Sequence, residues 1–260
     1  MKDTDFREIG ARLKAAFRLS TRPLAVYGSE ILPASIPPMT KVNRCFAVSM
    51  YWMATGNEVS ATYVSANTSK GCCLGGLYHV GYIPVPDVIK YFVSTGRKNV
   101  HGGVAEYMKA NPKLVERCML AAGPIYPPGK YLVVQACETL QDSGPSIRSL
   151  CCFDTAKQMR NMAALIHFDR DDSFSPVIVP WGSACSTYIT FPVGLAAKTP
   201  RDTAFIGPQD PTPNHPLPPE MIAIGIPANI AGRMMKNLDA SFIIRRPHVA
   251  FPNREKKLSR

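Results

Sequence analysis

The feature that most narrows the fold is a strand–helix unit that occurs twice in the second half of the chain. Ser149-Leu150-Cys151-Cys152-Phe153 is a short apolar run, and the segment from Asp154 to Phe168 that follows it has helical spacing. Met221-Ile222-Ala223-Ile224-Gly225-Ile226, followed by Pro227 to Asn237, repeats the form. Both helical segments carry methionine beside arginine, at Met159-Arg160 and at Arg233-Met234. Two such units are too few for a solenoid. They predict an α/β fold with a mixed, at least partly parallel sheet.

The rest of the chain fits that architecture. Phe6, Ile9, Leu13, Ala16 and Phe17 recur at helical spacing, so an amphipathic helix is expected from Phe6 to Leu19. Strands are expected at Leu24–Tyr27, Val59–Ala66, Tyr131–Ala136, Ile147–Cys152 and near Ser241–Ile244. Further helices open at Cys45, ending near Gly56, and after Cys73, ending near Gly81. Residues 86–121 read as a helical insert built from Asp87–Thr95, Gly102–Ala110 and Pro112–Ala121. Prolines cluster at Pro33, Pro37 and Pro38, at Pro124, Pro127 and Pro128, and between Pro208 and Pro219, which predicts long proline-rich loops. The expectation is a single α/β domain over residues 1–260, ending in a basic tail from about 245 to 260.

Hydrophobic residues make up 46% and charged residues 19%, a balance that excludes a disordered chain. The amino terminus has no apolar core of a signal peptide, and no apolar run reaches membrane-spanning length. A cytoplasmic protein without a membrane partner is expected, and there eight cysteines are thiols or ligands rather than disulfides. The net charge of +11 is concentrated in the tail, at Arg245, Arg246, Arg254, Lys256, Lys257 and Arg260. No nucleic-acid-binding signature accompanies it, so a solvated tail is expected rather than a nucleic-acid footprint.

Chemistry concentrates at cysteines that open helices. Pro176 to Val179 reads as a buried strand, Gly182-Ser183 as a turn with Ser183 as N-cap, and Cys185 falls in the first turn of the next helix. Backbone N–H groups and the helix dipole favour a thiolate there. Cys45 opens the apolar segment Phe46–Ala54, and Cys72-Cys73 opens Leu74–Val80, in the same manner. If the three sites converge, Cys45, Cys73 and Cys185 make a ligand set for an iron–sulfur cluster or zinc. A four-iron cluster would take a fourth thiolate from Cys72, Cys118 or Cys137, whereas Cys151 and Cys152 read as packing in a strand.

Simpler readings account for the same residues. The three cysteines could be small buried hydrophobes. Alternatively Cys185 could be a nucleophile, with His79 as the best placed base among His79, His101, His167, His215 and His248. Gly71, Gly75 and Gly76 could present N–H groups to an anion, although close packing explains them as well. Met159, Met162, Met234 and Met235 read as core filling.

Several of these segments, in order, resemble one family. Pro23-Leu24-Ala25-Val26, the helix opening at Cys45, Cys73-Leu74-Gly75-Gly76 with Gly81, Gln158-Met159-Arg160, Gly182-Ser183-Ala184-Cys185, and Glu220-Met221-Ile222 with Gly225-Ile226-Pro227 are similar to the domain-of-unknown-function family 169, or ArCR group. The resemblance runs from about residue 23 to 236. Where it leads one to expect a Gly-x-Arg turn, this chain has Gly207-Pro208-Gln209-Asp210-Pro211, so an anion- or cluster-binding role of that turn does not carry over.

The family has no established reaction, so the resemblance bears on the fold and on the three cysteine positions. Together these readings lead to a cysteine-rich cytoplasmic metalloprotein holding an iron–sulfur cluster, of the 4Fe-4S type, through Cys45, Cys73 and Cys185. Redox or substrate-activating chemistry is the expectation, with an electron-transfer partner or small-molecule substrate and with a homo-oligomer as one state of assembly. The alternative is a metal-free ligand-binding protein or cysteine-dependent enzyme centred on Cys185.

Overall fold

The computed structural model of the chain describes residues 5–32, 35–39, 45–68, 72–96, 105–141, 146–208, 210 and 217–245. Its centre is a seven-stranded sheet. The strands are β1 (Leu24–Ser29), β2 (Ala61–Val64), β3 (Tyr131–Ala136), β4 (Ser149–Thr155), β5 (Val177–Ile178), β6 (Ala204–Gly207) and β7 (Met221–Pro227), in the spatial order β2-β3-β1-β4-β7-β6-β5. The sheet is mixed, because β5 and β6 run parallel while the other neighbours are antiparallel.

Period-two alternation sorts the strand residues onto two buried faces. Leu24, Val26, Leu132, Val134, Cys151, Phe153 and Ala223 face one core, while Ala25, Tyr27, Val133, Leu150, Cys152, Ile224 and Ile226 face the other. Helices cover both faces, giving three layers. On the second face lie α1 (Phe6–Phe17), α6 (Ala156–Ile166) and α8 (Ala228–Asn237). Asp5 starts α1 by accepting hydrogen bonds from the N–H groups of Arg7 at 2.9 Å and Glu8 at 3.2 Å. The four methionines expected in the core, Met159, Met162, Met234 and Met235, are all buried in this layer.

The first face carries α2 (Phe46–Thr55), which is buried nearly all round, and α3 (Leu74–His79). It also carries a helical stretch that starts at Ala184, passes through a π-helical turn over Ser186–Thr190 and ends in α7 (Phe191–Val193). Two helices beside it, α4 (Val88–Val93) and α5 (Pro112–Ala122), are tied together by Lys90, which contacts Glu116 at 2.6 Å. Pro112 occupies the first turn of α5, and Asn111 caps it through the Leu114 N–H at 3.0 Å.

Several expectations need correction. The expected mixed sheet is present, but its parallel pair is β5 and β6, whereas the strands of the two strand–helix units pair antiparallel, from Ser149 opposite Pro227 to Thr155 opposite Met221. The Pro176–Val179 run is a two-residue edge strand rather than a buried one, with Val179 57% exposed. Ser241–Ile244 is no strand. Its residues form α9 (Phe242–Arg245), because the Ser241 hydroxyl accepts the Ile243 N–H and Ile243 is drawn into the core. The helix expected over Gly102–Ala110 is absent from its described part, residues 105–110, where Tyr107 takes the left-handed φ of 52°. Residues 246–260 of the basic tail lie outside the described residues.

Gly225 permits the layers to close. A Cβ there would stand 2.6 Å from the Thr187 carbonyl oxygen and 2.7 Å from Pro192 Cγ. Gly225→Ala is therefore expected to cost about 1–3 kcal/mol by overpacking, read as a lower denaturation midpoint with an unchanged slope.

Candidate functional site

Three helix starts meet on the first face of the sheet, two opened by a cysteine and the third carrying one in its first turn. Cys45 precedes α2 in the extended conformation (φ −66°, ψ 124°), and Cys73 precedes α3 likewise (φ −68°, ψ 155°). The Cys73 sulfur accepts the Gly76 N–H at 3.3 Å. Ser183 caps the third start as expected, its hydroxyl accepting the Ser186 N–H at 3.1 Å, and Cys185 follows in the first turn.

The side chains converge. The position a Gly76 Cβ would occupy has the sulfurs of Cys72, Cys73 and Cys185 at 2.6, 3.4 and 3.7 Å. A Cβ there would force the Cys72 sulfur to shift. Cys45 is the electrostatic neighbour of Cys72, Cys73 and Cys185. The structure thus brings together the three expected cysteines and, of the candidate fourth residues, Cys72.

The protonation states follow from this crowding. Burial pushes the Cys45 thiol up to about 12, helped by the neighbouring Cys73 sulfur and opposed by N–H groups at the start of α2. Burial raises Cys185 well above the ordinary thiol range, and Cys45, Cys73 and Asp210 add to it. Cys73 goes the other way, down to about 7, because the Cys72 thiol hydrogen-bonds to its sulfur and the Gly76 N–H supports the anion. The same hydrogen bond holds Cys72 protonated. One thiolate is favoured here, and further ones require a cation. In the metal-free protein Cys73 is expected to be alkylated first by iodoacetamide, with half-maximal rate near pH 7. Cys72→Ala removes the hydrogen bond and moves that midpoint upward, which rates mapped by mass spectrometry would measure.

The remaining candidates lie elsewhere. Cys137 is in the core on the opposite face, against Gly10, so the sheet separates it from the convergent set. Cys151 and Cys152 are fully buried in β4, as expected of packing residues. Cys118 lines a cavity beside the site, together with His79, Ser183 and Asp210. His79 lies at the residue after Cys185. Its Nδ1 is 2.9 Å from the Ser186 hydroxyl, and burial lowers its pKa to about 4, so the ring is neutral at pH 7. His167 caps the end of α6, among the second-face helices. Gly76 spends its N–H on Cys73, which removes it from the expected anion entrance. His101, His215, His248 and Gly71 lie outside the described residues.

Two residues at the site escaped the sequence reading. Asp210, in the turn that departs from the family pattern, is buried and accepts the Ala184 N–H at 3.1 Å, close enough to act on Cys45, Cys73 and Cys185. Tyr188 is fully buried, packs edge-on against Phe153 at 5.2 Å and lies near Cys45 and Cys185. Its hydroxyl has no hydrogen-bond partner among the described residues. The departing turn was the only signal for Asp210, and an apolar-looking Tyr-Ile pair gave none for Tyr188.

Among the described residues, no group of three or more His, Cys, Asp and Glu side chains is arranged to hold a metal ion, and no helix is long and apolar enough to cross a membrane. The model of a family described as uncharacterised ArCR matches residues 12–237. Neither the curated proteins nor the solved structures include a match to the chain.

Proposed function

The chain belongs to domain-of-unknown-function family 169, the uncharacterised ArCR family, and we propose that it is an iron–sulfur protein whose cluster is held by Cys45, Cys73 and Cys185, with Cys72 beside them. The observation that carries this reading is the convergence of the Cys72, Cys73 and Cys185 sulfurs around Gly76, with Cys45 as their electrostatic neighbour. Two buried and two half-buried thiols beside a buried carboxylate would repel one another as anions, and an iron–sulfur core would offset that repulsion. The unpartnered Tyr188 hydroxyl supplies a donor to a sulfur of such a group, and the Gly76 N–H supplies another, the contacts that tune potential.

Bound there, a cluster would supply electron transfer or Lewis-acid activation of a small substrate. In the reducing cytoplasm that this reading assumes, the thiols stay available as ligands. The deciding experiment is anaerobic purification and reconstitution with ferrous iron and sulfide, followed by absorption spectra and assays of both elements. Stoichiometric uptake lost in Cys45→Ala, Cys73→Ala and Cys185→Ala supports the proposal. A folded chain that takes up neither element overturns it. Metal-free thiol chemistry would then centre on Cys73, whose thiol is held near pH 7, rather than on Cys185.

A further inference from the structure

The cavity beside the cysteines has a composition of its own. It contains about 70 Å³, room for several waters or for part of a small molecule, and it opens to solvent. The helical insert forms its apolar wall, with Ile89 and Val93 from α4 and Val115 and Met119 from α5. The opposite wall comes from the segment that carries Cys185. There Ser183, Ser186 and His79 form a hydrogen-bonded chain, with 3.1 Å between the two hydroxyls and 2.9 Å from Ser186 to the imidazole. Each member of that chain can donate or accept, because hydroxyls rotate and neutral imidazole has one nitrogen of each kind.

Two further features narrow the ligand. Trp181 lines the cavity, and its indole N–H is buried without a partner among the described residues, a cost that an incoming acceptor would remove. Among the described residues the lining holds two acids, Glu106 and Asp210, and no lysine or arginine. Lys109 stacks on the Trp181 ring at 4.4 Å but is not among the lining residues. An anionic head would thus enter a partly enclosed space beside two carboxylates of its own sign, with no countercharge in the lining among the described residues.

We propose that this cavity is a binding site for a small, largely apolar molecule with an uncharged or cationic hydrogen-bonding head, such as an amide or amidine, and that it excludes carboxylates and phosphates. The head meets Ser183, Ser186 and Trp181, and the apolar body lies against the insert. This places a substrate-sized ligand next to the cysteine site, yet the cavity's chemistry stands without any group bound to the sulfurs.

Benzamide, benzamidine and benzoate share one ring and differ in the charge of the head, so they test the proposal on the full-length protein. Each would be titrated while the two tryptophan indole N–H resonances, from Trp52 and Trp181, are followed by NMR. The expected result is that benzamide or benzamidine moves the Trp181 signal with millimolar or tighter affinity, and that benzoate binds at least tenfold more weakly. Met119→Trp, which fills the apolar wall, is expected to abolish the shift, and Asp210→Asn to narrow the gap between benzoate and benzamide. Benzoate binding as tightly as benzamide overturns the proposal, as does the absence of a Trp181 shift with all three. The titration is run on protein with and without reconstituted iron and sulfide. A Trp181 shift in protein that takes up no iron separates failure of the cluster reading from failure of this one.

Discussion

Reconstituted protein is expected to become brown and to bind iron and sulfide in equal amounts, and Cys73→Ala is expected to lose nearly all of both. Cys73 starts with the largest thiolate fraction of the convergent set, so it is the natural first ligand. Cys45 and Cys185 start protonated because they are buried, and their binding must release protons. Uptake should therefore fall steeply as the pH drops below the Cys73 midpoint near 7. Cys137→Ala and Cys152→Ala act as controls, since both residues sit on the other side of the sheet and should leave the iron content unchanged. Cys72→Ala decides the ligand count. Retained cluster would mean three protein ligands and an open iron, and lost cluster would mean four. Tyr188→Phe removes only a hydroxyl from a packed ring, and is expected to weaken retention by about 10-fold, the low end for an outer hydrogen bond. Iron content unaffected by alanine at Cys45, Cys73 and Cys185 together would exclude this site.

Phe153→Ala is expected to be the most damaging single truncation in the sheet, at about 3–5 kcal/mol. Phe153 is fully buried at the centre of β4 and touches two rings edge-on, Tyr188 at 5.2 Å and Tyr51 at 5.7 Å. Removing it leaves a cavity beneath α2 and beneath the segment that carries Cys185, so both lose support at once. For a chain of this size the loss corresponds to a fall of roughly 10 °C in the thermal midpoint, measurable by calorimetry. Phe153→Leu keeps most of the volume and should recover more than half of the loss. A Phe153→Ala change below about 1 kcal/mol would mean that the site collapses freely, contrary to the two-ring packing.

The local grammar of this chain was legible without coordinates. The Phe6 helix, the Gly56 stop after α2, the cap at Ser183 and the two strand–helix units obey short-range rules, because propensity and capping depend on neighbours within a turn or two. Where local signals were ambiguous they misled. Phe242-Ile243-Ile244 is as apolar and β-branched as a strand, yet the Ser241 hydroxyl and the place left for Ile243 in the core favour a helical turn. Pairing direction was not local either: β4 and β7 look like repeated parallel units, and only the path of the chain between them makes them antiparallel.

The candidate site divides along the same line. The amino-acid sequence by itself determined that Cys45, Cys73 and Cys185 each open a helix, since that needs only the residues on either side. It could not determine that they share a space, because they are far apart along the chain and meet only when one face of the sheet gathers α2, α3 and the Ala184 helix. The tertiary structure alone placed the Cys72 sulfur beside those of Cys73 and Cys185, brought buried Asp210 close to them and left the Tyr188 hydroxyl facing no partner among the described residues. The physical reason is that burial, charge and clearance belong to the space between elements, and only packing sets that space.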